Sequence, residues 1–363
     1  MMTPKIAILL PPREQHSNRF KGAVALCMAD FTEHSRYRSS TTLFGGTNAN
    51  FGSLRYVQIK DWKKWYLRDN FAYAGKISNY LIAEGFTHVE VQNRPLIHRY
   101  LYKKLPSSMA VSLHLHNDPQ GMKGLQKTEQ RQEAVDRSAA IYCVSEFIRQ
   151  RFIAGLTHGQ DKVHVIHNGI DTKNLPQIAK EKIILYVGRI IQEKGALPLS
   201  AAYTRIAPYL PDWKFVVSGT DRFDSVSEYE KKTHKNLSEL GQQCQYTGYI
   251  DHDDVMRYFA RAEIAVIPSV WDEPFGRTVL EAMCGACAVV TSGAGGIKEI
   301  VGNTGIVVNP LTGENLALAI RELAENPEKR AAVQQEGYKR ASDCFDIRNL
   351  TSRLDEIRSR ISP

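Results

Sequence analysis

Residues 264–285 read IAVIPSVWDEPFGRTVLEAMCG, and the order of polarity within them decides the fold. Ile264 to Ile267 is a short, wholly apolar run of the kind that is buried on both faces of a parallel sheet. The run breaks at Pro268, passes through a turn-forming stretch to Gly276, and gives way to helical spacing from Thr278 to Met283. Strand, loop and helix in that order make half of a βαβ unit. Two carboxylates frame the loop. Pro274 keeps Glu273 ahead of the helix, and Glu281 falls in its early turns, so the pair brackets a helix N-terminus whose open amides favour anions. Glu281 is thereby a candidate acceptor for ribose hydroxyls, and Glu273, with the amides of Phe275 and Gly276, for a second polyol.

A second strand-to-loop unit lies upstream. Ile183 to Val187 runs directly into Gly188 and Arg189, followed by Glu193, Lys194 and Gly195. Two cations and two glycines at the carboxyl end of a strand suit a phosphate: Arg offers a planar fork, Lys a mobile charge, and Gly lets backbone approach. Further strands are expected at Phe215 to Ser218, Cys244 to Thr247, Ala288 to Thr291 and Ile306 to Val308, with helices between. The first half alternates in the same way, with strands at Lys5 to Leu10, Thr41 to Phe44, His88 to Val91, Met109 to Leu115, Ala140 to Val144 and Val163 to Ile166, and a helix from about Gly22 to Glu33. From Arg36 to Trp65 the pattern is poor. Strands alternating with helices of this length imply parallel sheets, so the expectation is an α/β chain of two doubly wound domains facing a cleft. The boundaries expected are 1–172 and 173–344, with a linker at Asn168 to Pro176. A last helix, within 345–363 and centred on Phe345 to Ser359, returns to one of the domains, the first being the expected one.

The composition excludes several classes of protein. Of 363 residues, 43% are apolar and 24% charged, which fits a folded chain rather than a disordered or fibrous one. No apolar run approaches the roughly 18 residues that cross a bilayer. Six cysteines, at 27, 143, 244, 284, 287 and 344, are scattered through apolar segments and read as reduced thiols; Cys284 and Cys287 form a C-x-x-C with no second pair or His to complete a metal set. The net charge of +8 is unevenly placed, at +9 for residues 1–172 and −1 for the rest. The first half should therefore meet an anionic partner. Two of its stretches interleave cations with aromatics, at Lys60, Trp62, Lys63, Lys64, Trp65, Tyr66 and Arg68 and at Arg99, Tyr100, Tyr102, Lys103 and Lys104. Such faces suit a membrane interface, or else are ordinary solvated helix faces.

The order of motifs resembles that of retaining glycosyltransferases of the GT-B fold, family four, over most of the chain. "LYVGRIIQEKG" at Leu185 to Gly195 is similar to the family's strand with its phosphate-binding Arg and Lys, which implies those roles for Arg189 and Lys194 beside Gly188. "IPSVWDEPFGRTVLEAMCG" at Ile267 to Gly285 resembles the Glu-x7-Glu signature, implying Glu273 toward the transferred sugar, Glu281 on the donor ribose, and Arg277 and Thr278 beside the donor. "TSGAGGIKEIV" at Thr291 to Val301 resembles the family's Gly-Gly loop, implying donor contacts from Gly295 and Gly296. "VIHNGID" at Val165 to Asp171 resembles its interdomain segment. "YTGYI" at Tyr246 to Ile250 looks like the turn that holds the base by backbone groups, here Tyr249 and Ile250. "VSLHLHNDP" at Val111 to Pro119 is similar to the segment carrying an active-site His, His116 first and His114 second. Two departures stand out: the glycine pair usual after the first strand is represented by Gly22 and Ala23 after a longer loop, and Cys287 replaces a usual Pro.

The resemblance implies transfer of a hexosyl unit from a nucleoside diphosphate sugar to a glycan or lipid-linked, anionic acceptor. No metal, cofactor or nucleic acid is expected. "VQNRP" at Val91 to Pro95 and "HNDP" at His116 to Pro119 are similar to segments of bacterial enzymes that build lipopolysaccharide or capsule. A cytoplasmic protein, peripheral at the inner face of the membrane, is the localisation that follows. The rivals explain less. A dinucleotide enzyme lacks a strand followed by G-x-G-x-x-G with an acid about 20 residues on. A nucleic-acid-binding module leaves Arg189, Lys194, Glu273 and Glu281 without a role. A non-catalytic sugar-nucleotide binder has no use for His116.

Overall fold

The computed structural model describes residues 3–16, 22–60, 69–175, 178–221 and 226–361. The chain folds as two compact units, Met1–Gly169 with Ile347–Pro363, and Ile170–Asp346. Among the described residues the first is built on seven strands: β1 (Ile6–Leu9), β2 (Thr41–Gly45), β3 (Tyr56–Gln58), β4 (His88–Gln92), β5 (Ala110–Leu115), β6 (Ile141–Cys143) and β7 (Val163–Val165). The second has six: β8 (Glu181–Val187), β9 (Lys214–Ser218), β10 (Cys244–Gly248), β11 (Ala262–Ile267), β12 (Ala288–Thr291) and β13 (Ile306–Val307). The orders are β3-β2-β1-β4-β5-β6-β7 and β10-β9-β8-β11-β12-β13, and every pairing is parallel. Every residue of β1, β2, β4 and β12 is buried, because helices cover both faces of each sheet.

In both sheets the strand order reverses beside the first strand, between β1 and β4 and between β8 and β11. Ligands of such sheets bind beyond the carboxyl ends of the strands at that reversal. The loops that leave β8 and β11, Gly188 to Gly195 and Pro268 to Gly276, therefore lie at the second unit's binding edge.

The C-terminal segment belongs to the first unit. Its helix, Ile347–Arg360, packs Ile347, Leu350 and Leu354 into a core with Ile6, Ile8, Met28 and Phe31. Arg358 is fully buried and grips Glu90 of β4 through two hydrogen bonds, Nε to Oε1 at 2.7 Å and Nη2 to Oε2 at 2.8 Å. Its Nη1 donates to Asp355 at 2.9 Å, and Asp355 also accepts from Ser35 Oγ and from the amide of Arg36. A buried charge is tolerable when it is paired in this way.

One expected helix start is corrected, and two stretches gain detail. Phe345 ends the preceding helix, Pro327–Phe345, and a new helix starts at Ile347; the extended backbone of Asp346, whose carboxylate accepts from Thr172 Oγ1 at 2.6 Å, separates them. The chain passes between the units at Gly169 and Ile170, within the expected linker, and again at Asp346 and Ile347. The poorly patterned stretch after Arg36 contains β3, a half-buried edge strand of three residues. Among the described residues no helix is long and apolar enough to cross a membrane. Of the two aromatic and basic stretches, 62–68 lies outside the described residues. The other lies on or beside the helix Pro95–Lys104, where Arg99 and Lys103 pair with Glu133 at 2.9 and 3.2 Å.

Candidate active site

In the second unit, β8 ends and the chain turns at Gly188, whose amide donates to Ser218 O at 3.0 Å. Arg189 follows, exposed. A short helical turn, Gln192–Lys194, then delivers Lys194 to Glu273, with which it forms a direct ion pair. The Lys194 ammonium also lies 5.8 Å from the centre of the Trp271 ring. Glu273 is nearly buried, and its Oε1 accepts a second hydrogen bond from Ser269 Oγ at 2.7 Å.

Glycines make this approach of two loops possible. Gly195 has φ +70°, and a Cβ there would lie 2.0 Å from Pro268 O. The amide of Val270 then donates to Glu193 O at 2.9 Å, which ties the loops together. Gly295, at φ +60°, and Gly296 press on the opposite side; a Cβ on Gly295 would lie 2.4 Å from Glu273 O, to which the Gly296 amide donates at 2.7 Å. Both glycines thus hold the backbone of Glu273. Gly276, at φ +102°, opens the helix Arg277–Cys284, on whose first turn Thr278 is half-buried, while Phe275 is buried and turns its ring toward Phe345.

Glu281 lies on that helix, 6% exposed. Its Oε1 accepts from Arg277 Nε at 2.8 Å and lies 2.9 Å from His252 Nε2. Burial alone would raise the Glu281 carboxyl, but the His252 hydrogen bond and the Arg277 charge outweigh it and hold it below the usual carboxylate range. Gly188, Arg189, Tyr249 and Ile250 meet, with Ser218 to Asp221, around a cavity of about 300 Å³. Apart from Gly22, the residues expected at the donor thus lie on the loops and helix starts that follow β8, β10, β11 and β12 of one unit.

In the first unit, His116 stands just past β5, half-buried, with Nε2 2.9 Å from Gln92 Oε1 and its amide donating to Asn93 Oδ1 at 3.2 Å. Burial, with the neighbouring His114 adding to it, pushes the His116 imidazole down to about 3, so at neutral pH it acts as an uncharged hydrogen-bonding group. His114 lies deeper in the sheet, 3.2 Å from Glu90 Oε2, inside the network that anchors the C-terminal helix. Gly22 precedes the helix Ala23–His34, but the Glu14 carboxylate occupies that helix start: its Oε1 accepts from the amides of Val24 and Ala25, and a Cβ on Gly22 would lie 2.2 Å from it. The Glu14 carboxylate thus caps the helix that follows Gly22.

Sequence reasoning missed His252, Ser269, Asn93 and Glu14. Ser269 stands inside the quoted stretch, four residues before Glu273, and Asn93 marks itself only through its backbone, at φ +55°. Among the described residues, no group of three or more His, Cys, Asp or Glu converges as a metal set. No disulfide joins the described cysteines, and burial raises the Cys287 thiol to about 11.

Two parallel-sheet, doubly wound units in one chain are the GT-B class of fold. Residues 34–174 match the family Glycosyltransferase Family 4, and residues 170–340 match Glycosyl transferases group 1. The chain is a GT-B glycosyltransferase assembled from these two family domains. It is 26% identical over 359 residues to YtcC of Bacillus subtilis (strain 168), a protein named as a glycosyltransferase, covering 93% of this chain and 87% of that one. It is 26% identical over 318 residues to the lipopolysaccharide 1,2-N-acetylglucosaminetransferase of Salmonella typhimurium, covering 81% and 79%. Among solved structures, Anabaena Alr3699/HepE in complex with UDP and glucose superimposes with a TM-score of 0.77 at 21% identity, over 98% of this chain and 99% of that one.

Proposed function

We propose that the protein is a retaining hexosyltransferase that takes its sugar from a nucleoside diphosphate sugar and passes it to a glycan or lipid-linked, anionic acceptor in bacterial surface polysaccharide or lipopolysaccharide synthesis. The observation that carries this reading is the Lys194–Glu273 ion pair, set at the strand-order reversal beside the cavity walled by Arg189, Tyr249 and Ile250. The bound UDP and glucose of the Anabaena protein and the name of the Salmonella enzyme support it.

In this reading the base enters the cavity, Glu281 takes the ribose, and the diphosphate lies between Arg189 and Lys194. As the glycosidic bond stretches, positive charge grows on the sugar and negative charge on the leaving diphosphate. Arg189 and Lys194 stabilise the second more strongly in the transition state than in the ground state. Glu273, already fixed by Ser269, positions sugar hydroxyls, and neutral His116 hydrogen-bonds without repelling the developing cation. No carboxylate is assigned as nucleophile, and the acceptor attacks from the face that the diphosphate leaves. The positive surplus of residues 1–172 favours an acceptor or a membrane surface of negative charge.

A thermal-shift panel of UDP, GDP, ADP and their hexose conjugates tests the donor. A ligand at 100 times its dissociation constant stabilises by about 2.7 kcal/mol, so one nucleotide should raise the midpoint by several degrees. Lys194→Ala should then lower turnover more than it lowers nucleotide affinity. Stabilisation by none of them, in a folded sample, overturns the reading.

A further inference from the structure

Glu281 carries both of its protein hydrogen bonds on one oxygen. Arg277 Nε and His252 Nε2 lie 2.8 and 2.9 Å from Oε1, while Oε2 has no partner among the described residues. Arg277 is on the same helix, one turn back, and would follow Glu281 wherever that helix went. His252 is different. It is the first residue of another helix, His252–Arg261, capped by Asp251, and it comes two residues after Ile250, which walls the cavity. One four-residue segment, Tyr249 to His252, therefore both lines the cavity and grips the buried carboxylate.

We infer that His252 is a positioning residue for the donor. By holding Oε1 it fixes the rotamer of Glu281 and leaves Oε2 for the two neighbouring hydroxyls of a ribose whose base occupies the cavity. A carboxylate with one oxygen occupied can accept two further hydrogen bonds on the other, which matches a vicinal diol. His252 touches no reacting atom, so its effect is on nucleoside binding and reaches the ligand only through Glu281. The inference rests on the donor reading above and goes beyond it by coupling the base and ribose portions of the site through one side chain.

Titration calorimetry on the full chain tests it, with UDP, GDP and ADP as nucleotide probes and inorganic pyrophosphate as the control that lacks a ribose. His252→Ala should weaken the bound nucleotide about tenfold, the loss expected for one hydrogen bond to a charged group. It should leave pyrophosphate binding unchanged, and His252→Gln, which retains an N–H donor, should recover most of the affinity. In a Glu281→Ala background, His252→Ala should have no further effect. A tenfold loss in that background as well, a parallel loss of pyrophosphate binding, or an unchanged nucleotide affinity overturns the inference while leaving the donor reading intact. Nucleotide binding undiminished by Glu281→Ala alone, or no nucleotide binding at all, overturns the ribose assignment and the inference together.

Discussion

At Gly295 the candidate site depends on a missing side chain. Its φ of +60° and the 2.4 Å that would separate a Cβ from Glu273 O leave no place for even a methyl group, because the obstacle is backbone. Gly295→Ala should thus combine left-handed strain of about 1–2 kcal/mol with a shift of the loop that carries Glu273. The expected outcome is a lower melting midpoint and at least a tenfold loss of turnover; wild-type kinetics in this variant would show that the loop does not need to be held. Single residues of this kind differ in how readable they were. Arg189, Lys194, Glu273 and Glu281 stand at strand ends or helix starts within runs whose polarity announces them. His252 does not, because a histidine at the start of an amphipathic helix carries no spacing signal, and its partner is 29 residues away. Glu14 stands ten positions before Val24, whose amide donates to it, so nothing adjacent in the chain points to it.

At the scale of elements, the strands were legible wherever helices bury both faces, as in β1, β11 and β12. β3 escaped because three half-buried residues give no periodicity to read. The C-terminal helix lies with the first unit, where it was expected, but the pair that anchors it was not legible, since Arg358 and Glu90 are separated by 268 positions and meet only in the fold. The helix Pro95–Lys104 offers a sharper test. Its His98 is buried, 3.0 Å from Ser138 Oγ, and burial pushes it down to about 3 from 6.5. The unfolded chain therefore takes up a proton below pH 6.5 that the folded chain refuses. The stabilising contribution of neutral His98 is complete above pH 6.5 and is lost as the pH falls toward 3, at about 1.4 kcal/mol per pH unit. Urea unfolding at pH 7 and pH 5 should show this slope, and His98→Asn should flatten it by about that amount. An equal slope in the variant would mean that other groups carry the acid sensitivity.

Across the whole molecule, charge and chemistry are divided. Residues 1–172 hold the positive surplus and His116, whereas the ion pair, the cavity and the buried Glu281 carboxylate all belong to Ile170–Asp346. That division was visible in the sequence, because net charge and strand-end motifs are local properties of the chain. Acceptor identity was not, since recognition of a glycan rests on loop geometry that follows no local pattern. The central claim, that the second unit is the donor site, is tested most directly by hydrogen exchange on the full chain with and without UDP, GDP or ADP. The account predicts that the nucleotide which binds will slow exchange at 188–195, 246–252 and 273–281, with His252 among the protected segments. Protection confined to residues 3–169, or no protection by any of the three nucleotides, would contradict it.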